Sequence, residues 1–407
     1  MDQATQQAKM PTGRKWAKRI GCGCLTLIIA ILALSASSNF FFPTRSKPAD
    51  RLSDLEKARI AEAFHLRKAI GDKIWTGWSN APVPIIVYNE AYAFLVGLDN
   101  PDSGWHTVPQ NVLCGGPWEL VPDEAVDGRK YFRLRLVDER TTPQAFTVRV
   151  GDFWCASMTT KDWMLIKMGN DLRDSLPSAI KAIVPYRLIA RIFVELSTNT
   201  DSYISLIEHE SFHAYQGIVS AGRLASAETV LPRFGKKYPW SNTGFNDAWK
   251  AELDALADAL SASQEQRMVE FATRFISLRQ ARRKAFQLDA DLLNLERFRE
   301  WEEGLAKYTE LAIWKHAASD SVYKPVQALS GDPDFKSYGS FARKWAEELI
   351  TLRHQSKGDG VRFYYSGMAQ AFLLDRLNPD WRARILHGDV FLEDLLSEAL
   401  ARRKILP

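Results

Sequence analysis

Five consecutive residues, His209-Glu210-Ser211-Phe212-His213, carry the clearest chemistry in this chain of 407 residues. If they lie on a helix, His209 and His213 are one turn apart and project from the same face. Two neutral imidazoles at that separation can share one tetrahedral Zn²⁺, and Glu210 can take a proton from water bound to the metal. The pattern therefore predicts a metal-dependent hydrolase, usually a peptidase, with Zn²⁺ as its cofactor.

The alternative is a pair of histidines that pack inside a helical core. The chain has only 7 histidines, so two of them around a glutamate at this spacing would arise in roughly one such chain in a hundred. Most neighbouring residues are apolar or uncharged, and Glu208 is the only other charged residue nearby. Since buried ionisable groups cost free energy unless they are paired or bind metal, the pattern favours a metal site.

A catalytic zinc site needs a third protein ligand and keeps its fourth position for water. Residues 301–310 read W-E-E-G-L-A-K-Y-T-E. Together with H-E-x-x-H, this segment resembles the gluzincin zinc peptidases, especially the thermolysin-related aminopeptidases. In that family the glutamate before the glycine is the third ligand, which implies Glu303. The connection from His213 to Glu303 is much longer than in the aminopeptidases and implies an inserted helical subdomain.

Three glutamates, Glu296, Glu303 and Glu310, recur every seven residues and would share one face of a regular helix. Glu303 is preferred as the ligand because Gly304 and Ala306 would let the two site helices approach closely. The other two glutamates are interpreted as groups that orient the ligands or as surface charges. A solvated helix face is the alternative for all three.

The resemblance also implies a Tyr or His, well downstream of the third ligand, that stabilises the oxyanion of the tetrahedral intermediate. Tyr364 and Tyr365 are the candidates, with His354 as a weaker one. The side chains of adjacent residues diverge, so at most one tyrosine can serve, and the sequence does not distinguish them. Two aromatic residues at the start of a core helix are the alternative.

The N-terminal region indicates a membrane segment. Residues 20–42 carry no charged side chain and are long enough to span a bilayer. The basic tail, residues 1–19, favours a cytoplasmic N-terminus and a catalytic domain that is periplasmic or extracellular. A cleaved signal peptide, with Ser-Ala-Ser at residues 35–37 as its cleavage site, is the alternative to a single-pass anchor.

Charge and cysteine content limit the partners. The formal net charge is +4, and the basic tail accounts for it, so the composition does not indicate nucleic-acid binding. The basic run at residues 279–284 is interpreted as a solvated helix face. A peptide or protein substrate and a membrane are the expected partners, and the oligomeric state stays open. Cys114 and Cys155 could form a disulfide outside the cytoplasm or remain buried thiols.

The predicted fold class is α+β: an N-terminal membrane helix, a mostly antiparallel sheet and then a large helical, zincin-like domain. Residues 43–160 should hold a helix with Ser53 as its N-cap, followed by the sheet. Residues 161–407 should form the helical metallopeptidase domain, with residues 176–194 largely buried. By resemblance to gluzincins, the sheet would lie over the active-site helix, and its edge strand would pair with an extended substrate.

Three functions are compatible with these patterns. The first is a membrane-anchored zinc metallopeptidase that acts outside the cytoplasm. The second is a catalytically inactive gluzincin-like module for binding or scaffolding. The third keeps the zinc hydrolase but changes its substrate to another amide, such as a cell-wall cross-link. The chain lacks the Gly-rich segment with which the aminopeptidases bind a substrate's N-terminus, so aminopeptidase activity is not expected.

Overall fold

A computed structural model describes residues 13–137, 142–143, 147–356 and 360–405 of the chain. These residues form an α+β fold of many helices and one eight-stranded sheet, which confirms the predicted class. The chain divides into two compact units. The smaller unit contains Met1–Ser46 and Asp162–Ser197, and the larger contains Lys47–Lys161 and Thr198–Pro407.

The regular elements are numbered in chain order. The strands are β1 (Ile85–Tyr88), β2 (Tyr92–Val96), β3 (Trp105–Thr107), β4 (Leu113–Cys114), β5 (Glu119–Val126), β6 (Arg129–Arg135), β7 (Thr147–Val150) and β8 (Phe153–Thr159). The helices are α1 (Gly13–Phe41), α2 (Asp54–Ile74), α3 (Lys161–Ser175), α4 (Tyr186–Ser197), α5 (Thr200–Phe234), α6 (Thr243–Ser261), α7 (Glu265–Ala285), α8 (Ala290–Arg299), α9 (Leu305–Ser319), α10 (Phe341–His354), α11 (Val361–Leu377), α12 (Trp381–His387) and α13 (Leu392–Ile405). A π-helical turn, Glu300–Gly304, joins α8 to α9.

Helix α1 contains most of the segment that was predicted to span a membrane. Among the residues described, no helix has both the length and the apolar character that a bilayer crossing requires. The predicted membrane segment, residues 20–42, includes side chains that are not described, and its place in a membrane stays a prediction. Residues 1–12 of the basic tail, and the side chains of residues 13–25 and 28, lie outside the described set.

The sheet belongs to the larger unit and has the strand order β4-β3-β7-β8-β1-β2-β6-β5. Every neighbouring pair is antiparallel except β1 and β8, so the predicted mostly antiparallel sheet is confirmed. Asn89 lies in the β1–β2 turn and accepts hydrogen bonds from two backbone N–H groups that follow it. On the helical side, the Ser53 hydroxyl accepts a hydrogen bond from Glu56 N and caps α2 as predicted.

Strands β7 and β8 pack against α5, the helix that carries the H-E-x-x-H residues. Gly217 makes this packing close, because a Cβ there would lie 2.3 Å from the ring of Trp154 on β8. Both strands are interior strands of the sheet, whose edges are β4 and β5. The sheet therefore packs on the site helix as expected, through two interior strands, and the pairing of an edge strand with substrate stays a prediction.

Cys114 and Cys155 are free thiols. They lie on β4 and β8, and the order β4-β3-β7-β8 places three strand spacings between them. That separation is about 14 Å, well beyond the reach of a disulfide. Burial raises the pKa of Cys155 to about 12, so its thiol stays protonated. Of the two alternatives, free thiols hold in this structure, although Cys114 is only partly buried.

Residues 176–194 are mostly not buried, so that prediction was wrong. Five large apolar side chains in this stretch are 39% to 60% exposed: Ile180, Ile183, Ile189, Ile192 and Phe193. Apolar composition predicted a core segment, but residues 176–185 lie between α3 and α4 without forming a helix. Pro177 and Pro185 each lack the N–H that a continuous helix would use.

The basic run at residues 279–284 is not a solvated face, which also corrects the sequence interpretation. Arg279 and Arg282 are 1% and 2% exposed and lie on α7. Their partners are four carboxylates that come from α6, α8, the π-turn and α13: Glu252, Glu296, Glu300 and Glu393. Buried cations of this kind persist only when they are paired, and the pairing holds these elements together.

We expect Arg282→Met to lower the free energy of unfolding by about 3–5 kcal/mol, because it removes one of the two arginines that neutralise each of the buried carboxylates Glu252 and Glu296. The matched control is Arg267→Met, which breaks an exposed pair with Glu270 on the same helix and should cost at most about 1 kcal/mol. Denaturant unfolding of both variants checks the prediction. Equal losses in the two variants would contradict it.

Candidate metal centre

Helix α5 positions both histidines. The helix begins after Asn199, whose side chain caps it by accepting a hydrogen bond from Ser202 N. His209 and His213 are each 4% exposed, and their ring centroids are 5.0 Å apart. The helical geometry breaks only at Ser220, where φ is −150° and ψ is 49°, beyond the pair. The predicted one-turn spacing of the two imidazoles is therefore present in the structure.

The π-turn positions Glu303. A Cβ on Gly304 would lie 2.5 Å from Gly367 Cα, so the turn contacts the backbone of α11 directly. The sequence interpretation had Gly304 admit the histidine helix, whereas the close approach is to α11. A π-turn holds an extra residue in its hydrogen-bonded loop, and such turns are frequent at functional sites.

The three predicted ligands converge. His209 Nε2 lies 3.5 Å from Glu303 Oε2, and His213 Nε2 lies 3.3 Å from the same oxygen. One ligand atom from each residue falls within 4.8 Å of the others. All three side chains are buried. Two imidazoles and one carboxylate are a donor set typical of catalytic zinc, so the residues present fit this metal.

The other ring nitrogens face polar partners that orient the imidazoles. His213 Nδ1 is 2.9 Å from Gln216 Oε1, and Gln216 in turn donates to the backbone oxygen of Trp301 at 2.9 Å. His209 Nδ1 lies 3.4 Å from Glu310 Oε2. These contacts leave both Nε2 atoms facing Glu303. Gln216 is itself fully buried.

Arg299 is a site residue that the sequence reasoning missed. Its guanidinium donates to Glu303 Oε1 at 2.7 Å, while the other oxygen of Glu303 faces the two histidines. Arg299 also pairs with Glu302. The only signal in the sequence was an Arg and a Glu four residues apart, which is the commonest pattern of an exposed helix pair. Only its burial distinguishes this pair from an exposed pair on a helix surface.

Glu296 does not belong to the metal centre. It is fully buried, and its carboxylate binds Arg282 and Arg283. The seven-residue spacing predicted a face shared with Glu303, but the π-turn begins between them and contains Glu303. One additional residue in a turn rotates the rest of the helix by about 100°, so the spacing no longer indicates a common face.

Glu210 is buried beside the ligands. Its Oε2 atom accepts no hydrogen bond from any residue in the described part of the chain. Burial raises the pKa of this carboxyl well above its usual value, and the charges of Glu303 and Glu310 raise it further, against the influence of His209. A cation at the three ligands would favour the charged form. The structure thus has a buried carboxylate oxygen beside the three candidate ligands that lacks a hydrogen-bond partner among the described residues.

Tyr364 lies at the cluster and Tyr365 does not. The Tyr364 ring stacks on His209, with centroids 6.0 Å apart and 15° between the planes. Its pKa is raised by burial and then by the negative charge of Glu303. Tyr365 lies over the ammonium group of Lys307, which is 5.8 Å from the ring centroid. The weaker candidate, His354, is exposed and its Nδ1 is 2.7 Å from the Ile350 backbone oxygen.

The sheet contributes Tyr88, a residue that no sequence pattern singled out. It ends β1 and is partly buried. Burial raises the pKa of its hydroxyl, and the nearby charge of Glu210 raises it further. Tyr88 is far from α5 in the chain, so only the packing of the sheet on the helix relates it to Glu210.

Comparison of the chain with protein-family models, curated proteins and solved structures found no match. The assignment of this site therefore rests on its own geometry and chemistry.

We expect one zinc per chain in protein purified with zinc, because two imidazoles and a carboxylate converge at a buried point. His209→Ala or Glu303→Ala should lose or weaken the metal, since either removes one of three ligands. The control is His354→Ala, which removes an exposed histidine and should keep the full zinc content. Elemental analysis of the folded variants decides the prediction, and zinc retained equally by all of them would contradict it.

We expect the metal-free protein to lose stability as pH rises from 6.5 to about 10. Burial alone would lower the pKa of His209, but Glu303 and Glu310 outweigh it and raise the pKa to about 10. A folded-state pKa above the unfolded value stabilises the fold at low pH, and this contribution disappears as pH rises through the window. Denaturant unfolding with a chelator measures it, and His209→Gln should flatten the dependence. An unchanged slope in that variant would refute the account.

Proposed function

We propose that this chain is a zinc-dependent peptidase of the gluzincin type, which hydrolyses a peptide bond with an activated water. The observation that carries the proposal is the convergence of His209 Nε2, His213 Nε2 and Glu303 Oε2 on one buried point. Glu210 and Tyr364 lie next to that point. This combination supplies ligands, a proton acceptor and a hydrogen-bond donor for one hydrolytic reaction.

The three ligands would hold zinc, which would polarise the scissile carbonyl group and lower the pKa of a bound water. The protein keeps the ligands in place through a second layer of contacts. Gln216 orients His213, Glu310 faces His209, and Arg299 holds the outer oxygen of Glu303. Such partners raise the basicity of the ligating side chains and fix which ring nitrogen is protonated.

Glu210 would accept the proton of the attacking water and later deliver it to the leaving amine. A buried carboxylate with an unpaired oxygen costs stability, so its presence is easier to understand in a catalyst than in a binding module. Tyr364 would donate its hydroxyl to the oxyanion, and its raised pKa keeps that hydroxyl protonated. Tyr88 offers a second hydroxyl near Glu210, from the sheet.

An inactive gluzincin-like module is the second candidate, and a zinc hydrolase for another amide is the third. The unpaired oxygen of Glu210 favours a catalyst over the module. The proposed location, outside the cytoplasm with an N-terminal membrane association, rests on the sequence pattern of residues 1–42.

Glu210→Gln should keep zinc and lower turnover by about 10²–10⁴-fold, because the amide cannot accept a proton. The assay is hydrolysis of a peptide library by the full chain, with zinc content measured on the same samples. Ser211→Ala, the next residue on the helix, is the matched control and should keep its turnover. Unchanged turnover in Glu210→Gln would refute this mechanism.

Tyr364→Phe should lower turnover by about 10²–10³-fold if its hydroxyl stabilises the oxyanion. Tyr365→Phe is the matched control, because it removes the same atom one residue away, where the hydroxyl faces Lys307 and Glu348. Steady-state rates of the two variants, with zinc content, test the assignment. A larger loss in Tyr365→Phe than in Tyr364→Phe would reverse it.

A further inference from the structure

The smaller compact unit carries most of the exposed apolar side chains in the described part of the chain. Twenty-one large apolar side chains are exposed in the described part of the chain, and twelve of them belong to the smaller unit. Seven lie on α1, and five lie between residues 180 and 193. Folded proteins rarely expose such concentrations unless the surface binds a membrane or another protein.

Helix α4 has apolar side chains on two faces. Ile189, Ile192 and Phe193 share one face, because residues three and four apart are neighbours on a helix, and they are 45%, 48% and 60% exposed. A second set, spaced by four residues, is buried: Tyr186, Ala190 and Val194. A helix that packs only on its own unit needs one apolar face, so the exposed face indicates a contact outside this unit.

Helix α1 indicates what kind of contact this is. Leu27 and Ile29 are 62% and 57% exposed. Residues two positions apart on a helix point in directions about 200° apart, so these two side chains lie on opposite sides of α1. Leu34 is also 49% exposed. A single protein partner covers one side of a helix, whereas fluid lipid surrounds it. The exposed apolar side chains of α1 therefore favour lipid as the occupant.

Polar contacts join the end of α1 to the segment before α4. Ser35 Oγ donates to the backbone oxygen of Ala182 at 2.9 Å, and Asn39 Nδ2 donates to that of Val184, also at 2.9 Å. Arg187 donates to the Asn39 backbone oxygen. These bonds place α4 beside the polar end of α1, beyond its apolar residues. If lipid covers the apolar side chains of α1, that level would correspond to the interface of a bilayer, where helices with an exposed apolar face lie flat.

Charge indicates which headgroups fit. Residues 175–194 contain three basic side chains, Lys181, Arg187 and Arg191, and no acidic ones. Two exposed phenylalanines, Phe40 and Phe41, lie at the same end of α1. Basic and apolar side chains together bind anionic bilayers more strongly than neutral ones.

We propose that residues 180–193 form a lipid-binding surface that lies in the interface of an anionic bilayer beside the end of α1. The exposed face of α4 inserts its apolar side chains among the acyl chains near the headgroups. This surface is separate in sequence from the predicted spanning segment, and its test does not depend on the peptidase activity.

The test places an environment-sensitive NBD fluorophore at Ile192→Cys in the full chain. Cys22, Cys24 and Cys114 are replaced by serine, and Cys155 is retained because it is fully buried. The protein is mixed with vesicles of equal parts phosphatidylcholine and phosphatidylglycerol. The emission should shift to shorter wavelength, and doxyl-labelled lipid should quench it while aqueous iodide does not.

The matched control carries the same fluorophore at Val322→Cys, an 82% exposed apolar position in the larger unit. There, iodide should quench and doxyl lipid should not. Vesicle-bound protein whose fluorophore at residue 192 stays open to iodide would overturn the proposal. A shift that occurs without lipid and grows with protein concentration would also overturn it, because a second copy would then be the occupant. Equal binding to pure phosphatidylcholine would overturn the preference for anionic headgroups.

Discussion

The direct contact between the backbones at Gly304 and Gly367 is the constraint on which the candidate site depends. No side chain fits between the two segments, since a Cβ on either glycine would lie within 2.7 Å of the other's Cα. The contact presses the π-turn against α11 and brings Glu303 and Tyr364 to the same cluster. Two side chains of α11 hydrogen-bond the carboxylate of Glu300 at the start of the turn, so the turn is held along its length.

Two clusters of buried charge meet at this turn and differ in how they are neutralised. Glu300 belongs to the first cluster, in which Arg279 and Arg282 are matched by four carboxylates. Glu303 belongs to the second, in which two imidazoles and a carboxylate converge and Glu210 keeps an unpaired oxygen. The first cluster is satisfied by protein groups, which suits a structural role. The second has the ligand set that a cation would complete under the proposed function, and this difference would separate a scaffold from a site.

Much of this organisation was predictable because it depends on short-range patterns. The spacing of His209 and His213 requires only a helix, and the Ser53 cap and the turn at Asn89 depend on nearby backbone groups. The α+β class follows from a change of period along the chain. Glu303 was predicted from a motif rather than from physics. Its position beside the histidines depends on the π-turn and on α11, which no local pattern reveals.

What sequence patterns could not supply depends on groups that are distant in the chain. Arg299 was given no role in the site. Arg282 was expected to be exposed, and residues 180–193 were expected to be buried. Each interpretation failed because composition reports how polar a segment is and not what packs on it. Tyr364 and Tyr365 are identical residues in the same sequence context. Only the orientation of α11 relative to the cluster determines which of them lies beside the histidines. Local free energies thus establish which helices and caps form. Burial, partner identity and the convergence of side chains arise when those elements pack, because each is a property of several distant segments at once.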